Sequence, residues 1–230
     1  MNTDKQRYLA VDVMRGITLI AMIIVNDPGS WEHVFPPLLH AEWNGLTPTD
    51  YVYPFFLFIV GVSIALAYQP KIDNGEAKKG MVSKIFIRAL KIFALGIFLW
   101  LFPSFDFTDI RWAGVLQRIA LVFLGSALLF LYTDHKFHLR FAAVALVGYW
   151  ILMAYVPVPG IGFPDLGGPE KNWAHYIDKM LLPGRMWQKT WDPEGILSTL
   201  PAIVTGVFGL IAGHIILHQR EMVICKSNCS

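Results

Sequence analysis

Apolar residues in this chain come in long runs separated by shorter polar stretches. A helix needs roughly 20 mostly apolar residues to cross a bilayer. Six runs approach that length: 9–26, 50–68, 85–102, 114–132, 141–158 and 196–217. Hydrocarbon offers no partners for open backbone N–H and C=O groups, so such runs must be helical. The pattern predicts an all-α fold, a polytopic membrane helix bundle of about six transmembrane helices, read as one domain over residues 1–230. The stretch 159–195 is too polar to span and is expected to be a long extracytoplasmic loop. Within it, Trp173 to Trp187 is expected to form a short helix in the membrane interface, with tryptophans at headgroup depth. The first run follows Lys5 and Arg7 as a secretory leader would. Val25-Asn26-Asp27-Pro28-Gly29 offers no small-x-small cleavage site, however, so the run is read as a retained anchor. No internal repeat or low-complexity tract is apparent.

Composition agrees with that picture. Of the 230 residues, 55% are hydrophobic and 16% charged, against about 25% charged in soluble domains. This argues against a soluble enzyme, a nucleic-acid-binding domain and a disordered tail. The net charge of +2 matters less than where the charges sit. Lys5 and Arg7 precede the first run, and loop 28–49 has no Lys or Arg. Loop 69–84 carries Lys71, Lys78, Lys79 and Lys84, loop 103–113 only Arg111, loop 133–140 Lys136 and Arg140, and the tail Arg220 and Lys226. Basic loops alternate with poor ones, so both termini are expected to be cytoplasmic (N-in/C-in). Lys171, Lys179, Arg185 and Lys189 in loop 159–195 vote against that orientation. Cys225 and Cys229 form neither a disulfide framework nor a four-ligand zinc site, and no residue set suggests a metal. The sequence holds no phosphate-loop, HExxH or GxSxG motif.

In a membrane chain the ionisable residues are the informative ones, because a charge at mid-bilayer costs at least about 2.5–3.5 kcal/mol. Asp12 and Arg15 lie three residues apart on one face of the first run. They read either as a mutual ion pair near the cytoplasmic end or as an anion or cofactor contact facing the bundle interior. Arg118, early in the fourth run beside Gln117, either snorkels to the surface or belongs to a site. The densest polar cluster is His40-Ala-Glu42-Trp-Asn44-Gly-Leu-Thr47-Pro-Thr49-Asp50. Thr47, Pro48 and Asp50 match a capping box opening the second helix, so Asp50 is a cap or a site residue. Capping does not account for His40, Glu42 or Asn44. A histidine at a membrane boundary suits a general base, because imidazole exchanges its proton near neutral pH. Asp192-Pro193-Glu194 reads as a helix N-cap opening the sixth run; the other reading brings Glu194 to the His40 cluster. The expected topology puts Asn26, His40, Glu42, Asn44, Asp50, Arg118 and Glu194 at one depth. His135, His138 and His33 read as loop residues, and His214 and His218 as boundary residues.

Three blocks resemble the heparan-alpha-glucosaminide N-acetyltransferase family of membrane acyltransferases. The first is Leu9-Ala-Val-Asp12-Val-Met-Arg15-Gly16 with Ile24-Val25-Asn26. The second runs from His40 through Asp50 to Tyr53-Pro54-Phe55-Phe56-Leu57-Phe58-Ile59-Val60-Gly61. The third is Gly114-Val115-Leu116-Gln117-Arg118 together with Asp192-Pro193-Glu194-Gly195-Ile196-Leu197. The resemblance covers residues 8 to about 217. It implies transfer of an acetyl group from acetyl-CoA to the amino group of an amino sugar on the extracytoplasmic side, with His40 as the catalytic residue. Around that implied chemistry, Asn44 is a candidate for orienting the thioester or holding the oxyanion, and Asp50 or Glu194 for holding the imidazole. Arg15 and Arg118 are candidates for donor contacts, and Asn26, Glu42 and Glu194 for acceptor contacts. Family members carry further spans after the Asp-Pro-Glu-Gly helix, so a chain ending at Ser230 is expected to be truncated.

O-acylation of an envelope glycan and a transporter-like or inert membrane protein are the alternatives. Polar residues gathered at one face, rather than at the midplane, favour the enzyme. The implied setting is a multi-pass protein of a bacterial cytoplasmic membrane. Its partners would be the lipid bilayer and an amino sugar or glycan acceptor, with no nucleic acid, and a homo-oligomer is compatible with the pattern.

Overall fold

The computed structural model describes residues 8–102, 104–188 and 190–228, and side chains as far as Gln219. Lys5, Arg7 and Lys189, and the tail residues Arg220, Cys225, Lys226 and Cys229, fall outside the described side chains. Among the described residues seven α-helices predominate: α1 Leu9–Asn26, α2 Pro48–Asp73, α3 Lys78–Leu101, α4 Val115–Tyr132, α5 His135–Tyr155, α6 Trp173–Leu181 and α7 Thr199–Asn228. Among the described residues there is no strand, only the isolated bridges Arg111 to Gly184 and Val158 to Gly162.

Among the described residues five helices, α1, α2, α4, α5 and α7, are long and apolar enough to cross a membrane. The run at 85–102 lies in α3, which differs because Lys84, Arg88 and Lys91 interrupt it. Even so, α3 follows α4 along its length. Lys78 at its start lies over the Tyr132 ring at the end of α4, and Gly96 near its end packs on Gln117 at the start of α4. Arg88 lies 5.0 Å from the centroid of the Phe123 ring, where a cation gains from the π face.

Local chemistry sets the helix starts. Thr47 and Asp50 form the expected capping box, with Pro48 at the first position of α2. Asp134 caps α5 by accepting the Phe137 N–H at 3.0 Å. That cap corrects the reading of His135 and His138 as loop residues: both lie in the first turns of α5. His138 is buried, with Nε2 3.3 Å from the Leu129 carbonyl. His135 stacks on His214 of α7, ring centroids 5.4 Å apart. The N-cap assigned to Asp192 is also corrected, since α7 begins only at Thr199.

The core centres on α2 and α7, which approach backbone to backbone. A Cβ at Gly61 would lie 1.9 Å from the Gly206 carbonyl oxygen, and one at Gly209 would lie 2.0 Å from the Phe58 carbonyl oxygen. Small residues permit this contact where the surrounding lipid supplies no hydrophobic drive. Ile64, Ala65, Met81, Ile85, Phe123, Val207 and Leu210 fill the space between α2, α3, α4 and α7. α1 packs on α2 and α5 on α7. The outward faces stay apolar and exposed, as Ile17, Ile20 and Ile23 on α1 and Val144 and Val147 on α5 show. Such faces suit hydrocarbon, and the chain is a multi-pass membrane protein.

Candidate active site

The starts of α2, α4 and α7 and the end of α3 share one end of the bundle, closed by the segments 27–47, 102–114 and 156–198. Two polar assemblies form there.

The first is open to solvent. His40 Nδ1 lies 2.7 Å from Asp50 Oδ1. The other carboxylate oxygen, Oδ2, accepts the Thr47 N–H at 2.8 Å, the Thr47 hydroxyl at 2.9 Å and the Ala41 N–H at 3.3 Å. Asp50 therefore both caps α2 and meets the His40 imidazole. Its capping bonds hold the carboxylate still, and the carboxylate orients the imidazole. The His40 side chain is 64% exposed and that of Asp50 21%. A ring whose Nδ1 faces a carboxylate presents Nε2 outward as its reactive nitrogen.

The second assembly is buried. Arg111 donates to both oxygens of Asp192, from Nε at 2.8 Å and from a terminal nitrogen at 2.6 Å. The same terminal nitrogen reaches Glu194 Oε2. The guanidinium also lies over the Trp187 ring, 4.9 Å from its centroid. Asp192 further accepts the N–H groups of Trp187 at 3.1 Å and Glu194 at 3.0 Å, so it organises this turn instead of capping α7. Arg118 donates to the Gly195 carbonyl at 3.1 Å and to the Ser198 hydroxyl, while its Nε is buried without a partner among the described residues. Burial raises the affinity of Glu194 for a proton; Arg111 and Arg118 oppose this and Asp192 reinforces it. The segment 182–198 is pinned to 104–114 from outside as well. The Arg185 N–H donates to the Ile110 carbonyl at 3.2 Å, and Arg185 pairs with Asp109 at 2.9 Å. Gly184, with φ +85°, allows this approach, since a Cβ there would lie 2.3 Å from the Ile110 oxygen.

Two contacts link the assemblies. Trp43 packs edge-to-face on Trp191, ring centroids 5.4 Å apart. Tyr53, one turn into α2 from Asp50, reaches the Val115 carbonyl at 3.5 Å and lies in the fields of Arg118 and Glu194. The Leu166 carbonyl accepts from both Trp43 Nε1 at 2.9 Å and Asn44 Nδ2 at 3.3 Å, tying the 40–47 segment to the long loop.

The expected residues thus divide. His40 joins Asp50, and Asn44 borders them. Glu194 and Arg118 meet around Gly195, where Glu194 pairs with Arg111 rather than with His40. Glu42 is exposed and makes no hydrogen bond or ion pair among the described residues. Asn26 bonds back to the Met22 carbonyl of its own helix at 2.7 Å. Arg15 is elsewhere, roughly 16 Å down α1 from Asn26 at 1.5 Å per residue. There it lies 3.5 Å from Asp12 and donates to Ser63 at 2.9 Å. Sequence reasoning missed Arg111, Tyr53, Asp178 and the clamping role of Asp192. The one available signal was Arg111 itself, the lone cation of its loop, set between Ile110 and Trp112.

The family model described as heparan-alpha-glucosaminide N-acetyltransferase, catalytic, matches residues 7–227. Among curated proteins, the heparan-alpha-glucosaminide N-acetyltransferase of Homo sapiens is 31% identical over 93% of this chain and 39% of its own length. That of Mus musculus is 28% identical over 95% of this chain and 40% of its own length. The chain spans about two fifths of the length of these relatives. With the match running through the His40 block, the Arg118 block and the Asp192–Gly195 turn, the chain belongs to the heparan-alpha-glucosaminide N-acetyltransferase catalytic family.

Proposed function

We propose that this chain is a membrane-embedded N-acetyltransferase that moves an acetyl group from acetyl-CoA to the amino group of an amino sugar at the His40 end of the bundle. In this reading both termini are cytoplasmic, the His40 end is extracytoplasmic, and the membrane is a bacterial cytoplasmic membrane. The observation that carries the proposal is the 2.7 Å contact between His40 Nδ1 and Asp50 Oδ1 on an otherwise exposed imidazole.

Acyl transfer to an amine needs a base for the attacking nitrogen and donors for the oxygen that gains charge. Asp50 holds the Nδ1 proton, so Nε2 of His40 takes the proton lost by the amine. The same nitrogen is placed to carry the acetyl group itself, as an acetyl-histidine intermediate. Asn44 stands four residues on and supplies an amide N–H beyond the one bound to Leu166. Glu42, unpaired and exposed, and Asn26 are placed to meet the acceptor amine and hydroxyls, and Glu194 offers a carboxylate beneath them. When bound, acetyl-CoA supplies an activated thioester carbonyl. The residues present fit such a donor, since Arg118 has a buried Nε without a partner, suited to a carbonyl or anionic oxygen. Arg15, deeper along α1, is a candidate for donor phosphates.

The test uses labelled acetyl-CoA and glucosamine with membranes holding this chain or its His40→Ala variant. The proposal expects label in a hydroxylamine-stable amide with the parent chain and none with the variant. A hydroxylamine-labile product would indicate O-acylation, and equal transfer by both chains would remove His40 from the chemistry.

A further inference from the structure

Asp178 lies in α6, outside the membrane-crossing helices, and is 1% exposed. Its Oδ1 accepts the Ile196 N–H at 2.8 Å. Its Oδ2 faces Gly195 so closely that a Cβ there would lie 1.8 Å away. The same turn is held from the opposite side, where the Gly195 carbonyl accepts from Arg118 at 3.1 Å and from the Thr199 hydroxyl at 2.9 Å. Glu194 and Ser198, which meet Arg111 and Arg118, flank that carbonyl in sequence. One buried carboxylate therefore carries one edge of the turn on which the buried assembly is built.

We propose that Asp178 is a positioning residue for the site at the His40 end: its buried carboxyl, accepting the Ile196 N–H, holds the 194–198 turn in place. As a contribution to acetyl transfer, this rests on the reading given under Proposed function. The charged and titratable groups facing Asp178 are Arg118 from α4, Asp192 from the segment before α7 and Tyr149 from α5. Burial pushes the Asp178 carboxyl up to about 6, with the Ile196 N–H opposing, Asp192 reinforcing and Arg118 opposing. An ionised carboxylate accepts an amide N–H more strongly than a carboxylic acid does. Burial outweighs this bond, so the held turn favours the protonated carboxyl and loosens as Asp178 ionises through about 6.

The experiment uses the full chain in nanodiscs with 5-fluorotryptophan, following the Trp191 fluorine resonance, assigned with Trp191→Phe, from acid to mildly alkaline pH. The expected result is a transition near 6 in the parent that disappears in Asp178→Asn, which keeps the shape and an acceptor oxygen, and returns in Asp178→Glu. The pH profile of acetyl transfer should show a limb with the same midpoint, falling as pH rises through it, and Asp178→Asn should flatten that limb. A Trp191 transition unchanged in Asp178→Asn overturns the proposal. A transition that behaves as expected in a chain that transfers no acetyl group supports the role of Asp178 and counts against the transfer reading.

Discussion

The two polar assemblies at one end of the bundle are built on opposite terms. His40 and Asp50 sit in a single stretch of eleven residues and face solvent, the imidazole 64% exposed. Arg111, Asp192 and Glu194 come from segments more than 80 residues apart and retain 10%, 0% and 15% exposure. The difference separates two tasks. A group that exchanges a proton or an acetyl group has to be reachable and gains little from being locked in. Charges that shape a binding surface must be fixed, and burying them is affordable only when each has a partner. The turn at 192–198 carries the buried charges, and the 40–50 stretch carries the open histidine.

The sharpest way to break this comparison is at His40. Replacing it by alanine should lower acetyl transfer about 10²–10⁴-fold, the range for a general base. Thermal unfolding in detergent should barely change, because the side chain is exposed; a parallel loss of both would mean that the open assembly is structural. Arg111→Ala should do the reverse. It strands Asp192 and Glu194 without their cation and should cost about 3–5 kcal/mol of stability, read as a lower unfolding midpoint. Arg111→Lys should recover only part of this, since an ammonium cannot match the planar fork that reaches both carboxylates.

A smaller effect is expected at Asp178, in the opposite direction. Its carboxyl is raised in the fold from an ordinary 3.8 to about 6. The folded state therefore holds its proton more tightly than the unfolded chain. That contribution to stability is full below about pH 4 and lost as pH rises through about 6. Asp178→Asn should be more stable than the parent at pH 8 by about 1–2 kcal/mol once solvent screening is allowed for. The two should converge at pH 4, so a constant offset would contradict the assignment. The smallest effect belongs to Trp43→Phe, which loses the bond to the Leu166 carbonyl but keeps an aromatic edge for Trp191. It should cost about 1 kcal/mol and show as a several-fold rise in acceptor KM at unchanged kcat.

Much of the fold was legible because lipid imposes one pattern on every span. α1 occupies the expected 9–26, and the start of α2 follows from Thr47, Pro48 and Asp50. Legibility ended where helices extend beyond the apolar run. α3 and α5 begin in polar turns that hydropathy treats as loop, although Asp134 caps one of them as a sequence signature would. In the site, the His40–Asp50 pair was legible in outline because ten residues and a helix start fix their separation. Asp192 was misread because an Asp-Pro pair suits a helix start, whereas here the carboxylate faces an arginine 81 residues away. Arg111 and Asp178 sit in loops or short elements whose lone charges carry no periodicity. Only the folded contacts distinguish them from ordinary surface residues.

The glycine contact between α2 and α7 has a mechanical consequence. With Gly61, Gly206 and Gly209 bringing the two backbones together, this pair cannot slide without steric collision or spread without losing its closest packing, and it serves as a fixed axle. Entry and exit of reactants would then fall to the periphery: α1, packed chiefly on α2, and α5, packed chiefly on α7 and bearing α6. Cross-links joining α2 to α7 should leave turnover intact, whereas cross-links pinning α1 or α5 to that axle should act as brakes.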